Sequence, residues 1–558
     1  MRLLVQLTHP PAPARAPLRF LLDGAEVAVP DDGGSLLDAL REHLGSRSAK
    51  DGCSPQGQCG CCTVWVDGAP RVSCVTPARR VAGRSVTTLD GIDPEVRARW
   101  ADAFSAAGAS QCGFCTPGII MRLAALEARR GDAGDAEIER ALLAHLCRCT
   151  GWRTIVEAAH MARPSAPAAG DVPPDPPGAR ARGGRDLAGA ARRAALEGGC
   201  PQSVGPAVAC GGGGFAEDGA PAGALVAVPD GRGGWVLGPT LAAARRRAGR
   251  VPGRNSTRAV RHPLAPPPGD FDLVLQTAFV EPAYLEPDAS WCQPGGEPAT
   301  ALANGGAFGG KTTTPVGAVA RRLADEHGRP VRVVLSREDV ARTGPKRPPV
   351  AAGVRADGSG VLRVARTPGA VGLDRWVAAA ASVAPALMVE LVDVPGPPVS
   401  ADLRAAGWGE AAVLLGALSA RAAGAGRHGH PVTVTSPQGG RATVAIDDHG
   451  AVSVRLAGGD PLDEVVLRSY AIGAVHQGLG WVRSEAIAVD EDGSVLDLTI
   501  RSFGILPARD MPAVDVVVED DPRPPVAAGD SVFVATAIAA WLAAGLPGSW
   551  PVQAGGAT

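Results

Sequence analysis

The sequence predicts a multidomain α+β protein: a small α/β domain, an all-helical domain, a linker, and a larger mixed α/β region. Three observations predict it. The chain has 558 residues, enough for three or four ordinary domains. Nine of its 12 cysteines crowd into the first 150 residues. A stretch rich in Pro, Ala and Gly begins near Arg163 and has no apolar periodicity.

The elements follow in order. Residues 1–90 hold the small α/β domain. There LRFLLDGAEVAV turns as a hairpin at Asp23-Gly24, and CTVWVDGAPRVSCV turns at Asp67-Gly68. Between them SLLDALREHLG has helical spacing, with Leu36, Leu37, Leu40 and Leu44 on its apolar face. Residues 91–162 read as helix throughout. Residues 163–210, opening RPSAPAAGDVPPDPPGARARGGR, read as a linker, semi-rigid where prolines crowd. Residues 211–558 alternate apolar runs (ALVAV, VRVVL, ATVAI, VVVE) with turn signals, and VFVATAIAAWLAAG is long enough for a buried helix.

Composition narrows the function. Apolar residues make up 45% of the chain, enough for several cores, and the net charge of −2 gives no field for nucleic acid or an anionic membrane. No run approaches the ~18–20 apolar residues of a membrane span. The opening MRLLVQLTHPPAPAR is a poor match to a secretory signal. Cysteines crowded in Gly-containing loops of a large chain favour metal ligation in a reducing compartment, so a cytoplasmic protein is expected.

Cys53, Cys59, Cys62 and Cys74 form one tetrad, within one residue of the plant-type [2Fe–2S] spacing. Gly52, Gly57 and Gly60 let the loop wrap a cluster. Cys61 adjoins Cys62, and adjacent strand residues point to opposite faces. Cys62 is preferred as the ligand because it restores a C-x₂-C pair. Cys112, Cys115, Cys147 and Cys149 form a second tetrad. Thr116 and Thr150 are placed as helix N-caps, with Pro117 in a first turn, so each cysteine pair precedes a helix. The positive end of a helix dipole favours thiolates and a negative cluster. Zinc, which accepts similar cysteine tetrads, is the alternative for both sets.

GCSPQGQCGCCTVWVDG, QCGFCTPGII and LCRCTGWRTIVEA, in this order, resemble the iron–sulfur module of the xanthine oxidase family of molybdenum hydroxylases. The resemblance covers about residues 18–160 and implies a ferredoxin-like β-grasp domain, an all-α [2Fe–2S] domain, and a cluster in each. It extends in weaker form downstream. GGGGFAEDGAPAGALVAV from Gly211, TAFVEPAYLEPDA (277–289), GGAFGGK, LRAAGWGEA and AVHQGLGWVRSEAIAVDEDG resemble the entry and cofactor loops of that family's molybdopterin-binding domain. On this resemblance Gly305, Gly306, Phe308, Gly309, Arg404 and Gln477 contact a molybdopterin, in a dinucleotide form, with molybdenum. No flavin domain intervenes, an order similar to flavin-free aldehyde oxidoreductases.

The chain also departs from the family. The expected catalytic Glu of a Gly-x-Gly-Glu loop is matched by Gly529-Asp530. Asp530 is therefore the candidate general base, one methylene short; the other reading makes it a helix N-cap. A glycine–glutamine loop expected between Val454 and Asp463 is replaced by AGGDPLDE, and the region after Gly213 is about half as long as family molybdenum subunits.

The leading expectation is oxidation of an aldehyde or N-heterocycle at a molybdopterin centre. Electrons would pass through two [2Fe–2S] clusters to an external acceptor protein or FAD subunit. The alternative is an electron-transfer protein whose C-terminal half is a non-catalytic scaffold. A third reading comes from Gly305 to Thr312, which satisfy the phosphate-loop pattern G-x₄-G-K-[ST]. GGEPATALAN before it is not a strand core, and Pro315 follows closely, so an NTPase is disfavoured. The expected partners are a small-molecule substrate and an electron acceptor, with no nucleic acid or membrane; a homo-oligomer is left open.

Overall fold

The computed structural model describes residues 16–164, 185–249 and 259–552. The chain is multidomain and mixed α/β. It opens with the hairpin β1 (Leu18–Leu22) and β2 (Ala25–Val29), followed by α1 (Leu36–Asp38), which continues as a π turn over Ala39–His43. Ser35 caps α1 through a capping box with Asp38. Then come β3 (Thr63–Val66), β4 (Ala69–Val72) and β5 (Ser85–Thr87). Asp23-Gly24 and Asp67-Gly68 all have positive φ, as two-residue hairpin turns require. The sheet order is β2-β1-β5-β3-β4, with β1 and β5 parallel at its centre.

The helical unit holds α2 (Pro94–Ala106), α3 (Thr116–Arg130), α4 (Asp135–Ala141) and α5 (Arg153–Met161). Trp100, Phe104, Ile119, Ile120 and Ile155 form its buried faces. Part of the span read as linker is ordered. The helix α6 (Leu187–Gly198) buries Ala190 and Ala194, and α7 (Pro206–Ala209) follows it. Arg193 on α6 is fully buried and donates to the carbonyls of Pro461, Val526 and Gly458. An Ala/Arg-rich segment thus belongs to the C-terminal region, where the guanidinium hydrogens find four backbone carbonyls and the Glu197 carboxylate. The Pro-rich residues 165–184 lie outside the described residues.

The C-terminal region contains β6 (Leu225–Pro229), β7 (Trp235–Gly238), α8 (Leu241–Ala248), β8 (Leu273–Gln276), β9 (Ala289–Cys292), α9 (Val316–His327) and β10 (Val331–Val334). There follow α10 (Arg337–Thr343), β11 (Val350–Val354), β12 (Gly360–Arg366), α11 (Leu373–Val383), β13 (Leu387–Asp393) and α12 (Trp408–Ala422). Last come β14 (Val432–Thr435), β15 (Arg441–Ile446), β16 (Val452–Ala457), α13 (Glu464–Arg483), β17 (Val514–Val518) and α14 (Gly529–Ala543). They build three sheets, ordered β7-β6-β10-β9, β13-β12-β11-β8 and β14-β15-β16-β17. The apolar run expected to be a buried helix is α14, which packs on α13 with Phe533 stacked on Trp481 at 5.2 Å. Among the described residues no helix is long and apolar enough to cross a membrane.

The phosphate-loop reading fails in this fold. Strand β9 ends at Cys292, far before Gly305, and α9 begins only after Pro315. Lys311 is buried and paired with Glu286 at 2.6 Å.

Candidate iron–sulfur centres

The first cysteine set lies in the loop between the π turn and β3, closed by Cys74 just after β4. All four thiols are buried. Cys53 contacts both Cys59 and Cys74, and Cys74 also contacts Cys62. Backbone N–H groups point at the sulfurs: Gln56 N–H lies 3.2 Å from Cys53 Sγ and Cys74 N–H 3.4 Å from Cys62 Sγ. Such donors stabilise thiolates and tune a cluster. The Cys61 thiol lies against Cys59, in the fields of Cys53 and Cys62 of its own set and of Cys112 of the second, and no contact joins it to Cys74. The geometry therefore groups Cys62, not Cys61, with Cys74.

The second set is built from two loop-to-helix units. Cys115 occupies the N-cap position of α3, one residue before the expected Thr116, with Pro117 in the first turn. The helix α5 begins at Arg153, not directly after Thr150. A turn with positive φ at Gly151 and Trp152 intervenes, which the uniform apolar pattern of the segment concealed. Thr150 Oγ1 instead lies 3.1 Å from Cys147 Sγ. Each unit gives one thiol to each pair. Cys112 and Cys149 stand 3.7 Å apart, and Cys115 contacts Cys147. Two thiolates on one tetrahedral metal with bonds of about 2.3 Å lie roughly 3.75 Å apart, so the pair separation suits a shared iron. The hydrogen bond from Cys115 pushes the Cys147 thiol down to about 6, outweighing burial, and Thr150 adds to it. Among the described residues no three His, Cys, Asp or Glu side chains form a one-ion site; the thiols of the second set meet in pairs, and those of the first run in contact from Cys59 through Cys53 and Cys74 to Cys62. Adjacent thiols, burial and inward N–H groups fit a two-iron cluster in each set.

The two sets touch through Gly60, Cys61 and the start of α3. A Cβ on Gly118 would stand 2.3 Å from the Gly60 carbonyl oxygen. Leu146 N–H donates to Cys59 O at 3.0 Å. The His145 ring packs on Gly60, whose added Cβ would meet it at 2.4 Å. Burial, helped by Arg122, pushes His145 down to about 3, so the ring between the sets is neutral.

The residues read as molybdopterin contacts divide into two groups. Gly305, Gly306 and Gly309 pack on protein. An added Cβ would meet the Gln202 side chain at 2.7 Å, Cys112 Cβ at 3.0 Å and Asp402 O at 1.9 Å respectively. Phe308, Arg404 and Gln477 do converge, and Asp530 joins them through Arg404. Arg404 donates to Asp530 at 2.9 Å and to Gln477 at 3.3 Å, with its guanidinium 5.3 Å from the Phe308 ring centre. Asp530 is the second residue of α14, and its side chain is one-third exposed.

The surrounding space is small. The cavity lined by Phe308, Arg404, Gln477, Trp481 and Glu485 measures about 40 Å³, and that between Gly306 and the second cysteine set about 10 Å³. Sites for bound cofactors and drug-sized ligands run to about 300–1,000 Å³. As folded, these residues do not fit a pyranopterin; ion pairs occupy the space between the loops.

Those ion pairs had no sequence signal beyond the position of Arg148 between two cysteines. Arg148 makes a two-pronged pair with Glu485 and donates to Pro282 O. Arg347 pairs with Glu410, and Lys346 with Glu281. Burial pushes the Glu485 carboxyl up, against the pull of Arg148.

The comparisons with known proteins divide along the same line. A [2Fe-2S] binding domain family matches residues 88–160, and a 2Fe-2S iron-sulfur cluster binding domain family matches residues 20–83. The chain is 40% identical over 148 residues to the isoquinoline 1-oxidoreductase subunit alpha of Brevundimonas diminuta, covering 26% of this chain and 96% of that one. It is 43% identical over 132 residues to the xanthine dehydrogenase iron-sulfur-binding subunit of Escherichia coli O157:H7, covering 23% of this chain and 80% of that one. The fold is similar to the solved aldehyde oxidoreductase from Desulfovibrio gigas, with a TM-score of 0.64 at 14% identity over 94% of this chain and 97% of that one.

Proposed function

Because the chain belongs to the xanthine oxidase family of molybdenum hydroxylases, we propose that it is an oxidoreductase component whose own task is one-electron transfer through two [2Fe–2S] clusters. On this reading the C-terminal region is a scaffold that holds the wire. One observation carries the reading most of the way: the two cysteine sets are buried back to back, with Gly60 against Gly118.

Cys53, Cys59, Cys62 and Cys74 would hold one cluster, and Cys112, Cys115, Cys147 and Cys149 the other. A [2Fe–2S] cluster, when bound, takes up and returns one electron. The protein's part is to hold that charge. Backbone N–H groups on the first set and the start of α3 on the second favour the more negative reduced state. Burial keeps water from the sulfurs. The neutral His145 fills the space between the sets without adding charge. The partner would be an external electron carrier, in a cytoplasmic setting.

A second reading is hydroxylation of an aldehyde or N-heterocycle at a molybdenum centre. The convergence of Phe308, Arg404 and Gln477 favours it, together with the buried Arg404 Nη2, which has no hydrogen-bond partner. One experiment separates the two. Anaerobically purified protein is analysed for iron, acid-labile sulfide, molybdenum and pterin. The electron-transfer reading expects about four irons and four sulfides per chain, with two EPR signals after dithionite and no molybdenum. Stoichiometric molybdenum and pterin would establish the second reading. A zinc-loaded, colourless protein would overturn both.

A further inference from the structure

The segment that carries α6 does more than join two regions. It touches three of the stretches that the sequence resemblance assigns to a cofactor. Gln202, just past α6, lies on Gly305: a Cβ added to that glycine would stand 2.7 Å from the Gln202 side chain. Ser203 N–H donates to Asn304 Oδ1 at 2.7 Å, next to the same glycine. Arg193 donates to Gly458 O at 3.2 Å and to Pro461 O at 2.9 Å, in the AGGDPLDE stretch that replaces the expected glycine–glutamine loop. Glu197, one turn further along α6, reaches the start of α14.

The contact at α14 has the chemistry of an anion on its receptor. Gly529 N–H donates to Glu197 Oε2 at 2.8 Å, and Ala528 N–H donates to Oε1 at 3.1 Å. These amides open a 15-residue helix, where free N–H groups and the helix dipole favour negative charge. A second group points to the same place. Arg404 is 9% exposed, and its Nη2 is buried without a hydrogen-bond partner. A Cβ on Gly529 would stand 2.3 Å from that nitrogen and 2.9 Å from Glu197 Oε2. Arg193 closes another side, 3.3 Å from Glu197 Oε1, and both side chains of that pair are fully buried. An (i, i+4) ion pair can form on any helix surface. This one is carried inside, onto two helix amides and a second guanidinium.

We infer that Glu197 is an internal ligand: its carboxylate fills an oxoanion site built by the start of α14, Arg404 and Arg193, and α6 with Gln202 closes these loops to an anionic cofactor. The inference rests on the scaffold reading of the C-terminal region and gives that reading a cause. With the Glu197 carboxylate removed, the site takes a small carboxylate. Acetate has the size of the group that Glu197→Ala deletes. Burial pushes the Glu197 carboxyl up, against Arg193, the two N–H groups and Arg404, so a charged and a neutral probe have to be compared.

The test is thermal unfolding of the full chain at pH 8 and constant ionic strength, with acetate set against acetamide and chloride. The wild type should respond to none of them, because its site is filled. Glu197→Ala should have a lower Tm. Acetate should raise it with a saturating dose dependence, as expected of a ligand that binds only the folded chain, and acetamide and chloride should not. In Glu197→Gln the amide occupies the space, so acetate should leave its Tm unchanged. Adding Arg404→Met to Glu197→Ala should raise the half-saturating acetate concentration at least ~10-fold, as for loss of a hydrogen bond to a charged group. Should Glu197→Ala purify unfolded, the yield of soluble protein on refolding in acetate against chloride reads the same site.

No rescue of Glu197→Ala by acetate would overturn the inference and reduce Glu197 to a helix cap. Equal rescue by acetamide would overturn it too, leaving a space filled by shape alone. Rescue of Glu197→Gln by acetate would place the anion elsewhere, with the same result. Molybdenum and pterin are assayed on the same wild-type preparation. Stoichiometric pterin there would sink the scaffold reading and the closure with it, whereas pterin-free protein without rescue would sink the inference alone.

Discussion

Cys61 and Cys62 are neighbours, yet the fold turns them to different partners. Cys62 Sγ accepts from Cys74 N–H, whereas Cys61 lies against Cys59 and makes no contact with Cys74. Cys61→Ala should therefore leave both EPR signals in place, and Cys62→Ser should remove the signal of the first cluster; the reverse result would exchange their roles. Arg148 makes a second case. Its partner Glu485 is 2% exposed, so Glu485→Ala strands a buried guanidinium. Losing one partner of a buried pair costs about 3–5 kcal/mol, whereas replacing both by apolar groups is often close to neutral. Urea unfolding of Glu485→Ala and of Arg148→Met/Glu485→Leu should show that asymmetry. His476 gives a pH dependence. Burial, with Arg148 adding to it, pushes this ring down to about 4. Its Nε2–H donates to Leu506 O at 2.9 Å and its Nδ1 has no partner. Unfolded histidine titrates near about 6.5. Between the two values the unfolded chain binds more protons, so this contribution is whole above pH ~6.5 and is lost as pH falls toward 4. The span corresponds to roughly 3 kcal/mol. His476→Gln should flatten the loss of stability between pH 7 and about 4.5; an equal loss in both proteins would mean the ring is not a neutral buried group.

At the level of elements, the Gly305–Lys311 loop shows what pattern reading can and cannot reach. Its glycines are demanded by close approach, as expected, but the approaching atoms belong to the chain itself. Gly306 has φ +85°, and its added Cβ would meet Cys112 Sγ at 3.1 Å and Cys149 Sγ at 3.4 Å. Gly306→Ala should therefore broaden or abolish the second-cluster EPR signal while sparing the first. Two intact signals would show that the loop can yield. The hairpins at Asp23-Gly24 and Asp67-Gly68, the α14 helix and both cysteine tetrads were legible in the sequence, because turn residues, apolar runs and ligand spacing are local signals. The start of α5 was not, since Gly151 and Trp152 take positive φ in a turn between Cys149 and the helix, with Gly151 packed against the Ile472 carbonyl of a distant element. The helix α6 was hidden for a related reason. Its Ala and Arg pattern is sparse by itself and gains its meaning from the carbonyls of Pro461 and Val526.

The whole molecule is tied together across its length. Arg41 and Lys50 of the first domain both reach Asp218. Arg337 donates to Gly52 O at 2.8 Å, and Gln56 is held by Glu338 and by the Leu498 carbonyl. The iron–sulfur half and the C-terminal half should thus unfold in one transition, with visible absorbance and far-UV circular dichroism lost together; separated midpoints would show two independent units. The distribution of charge between these halves was invisible in the sequence, because each partner lies more than a hundred residues from its mate. The same closure bears on how the protein is made. Gly306 lies on Cys112 and Cys149, and Arg501 bridges the first loop to Leu143. The eight thiols of the two sets are buried once the halves have met. We therefore expect metallation to precede docking during biogenesis, and chain synthesised under iron starvation to accumulate as a closed apoprotein. Added iron and sulfide should reconstitute it only after it has been unfolded and refolded in their presence.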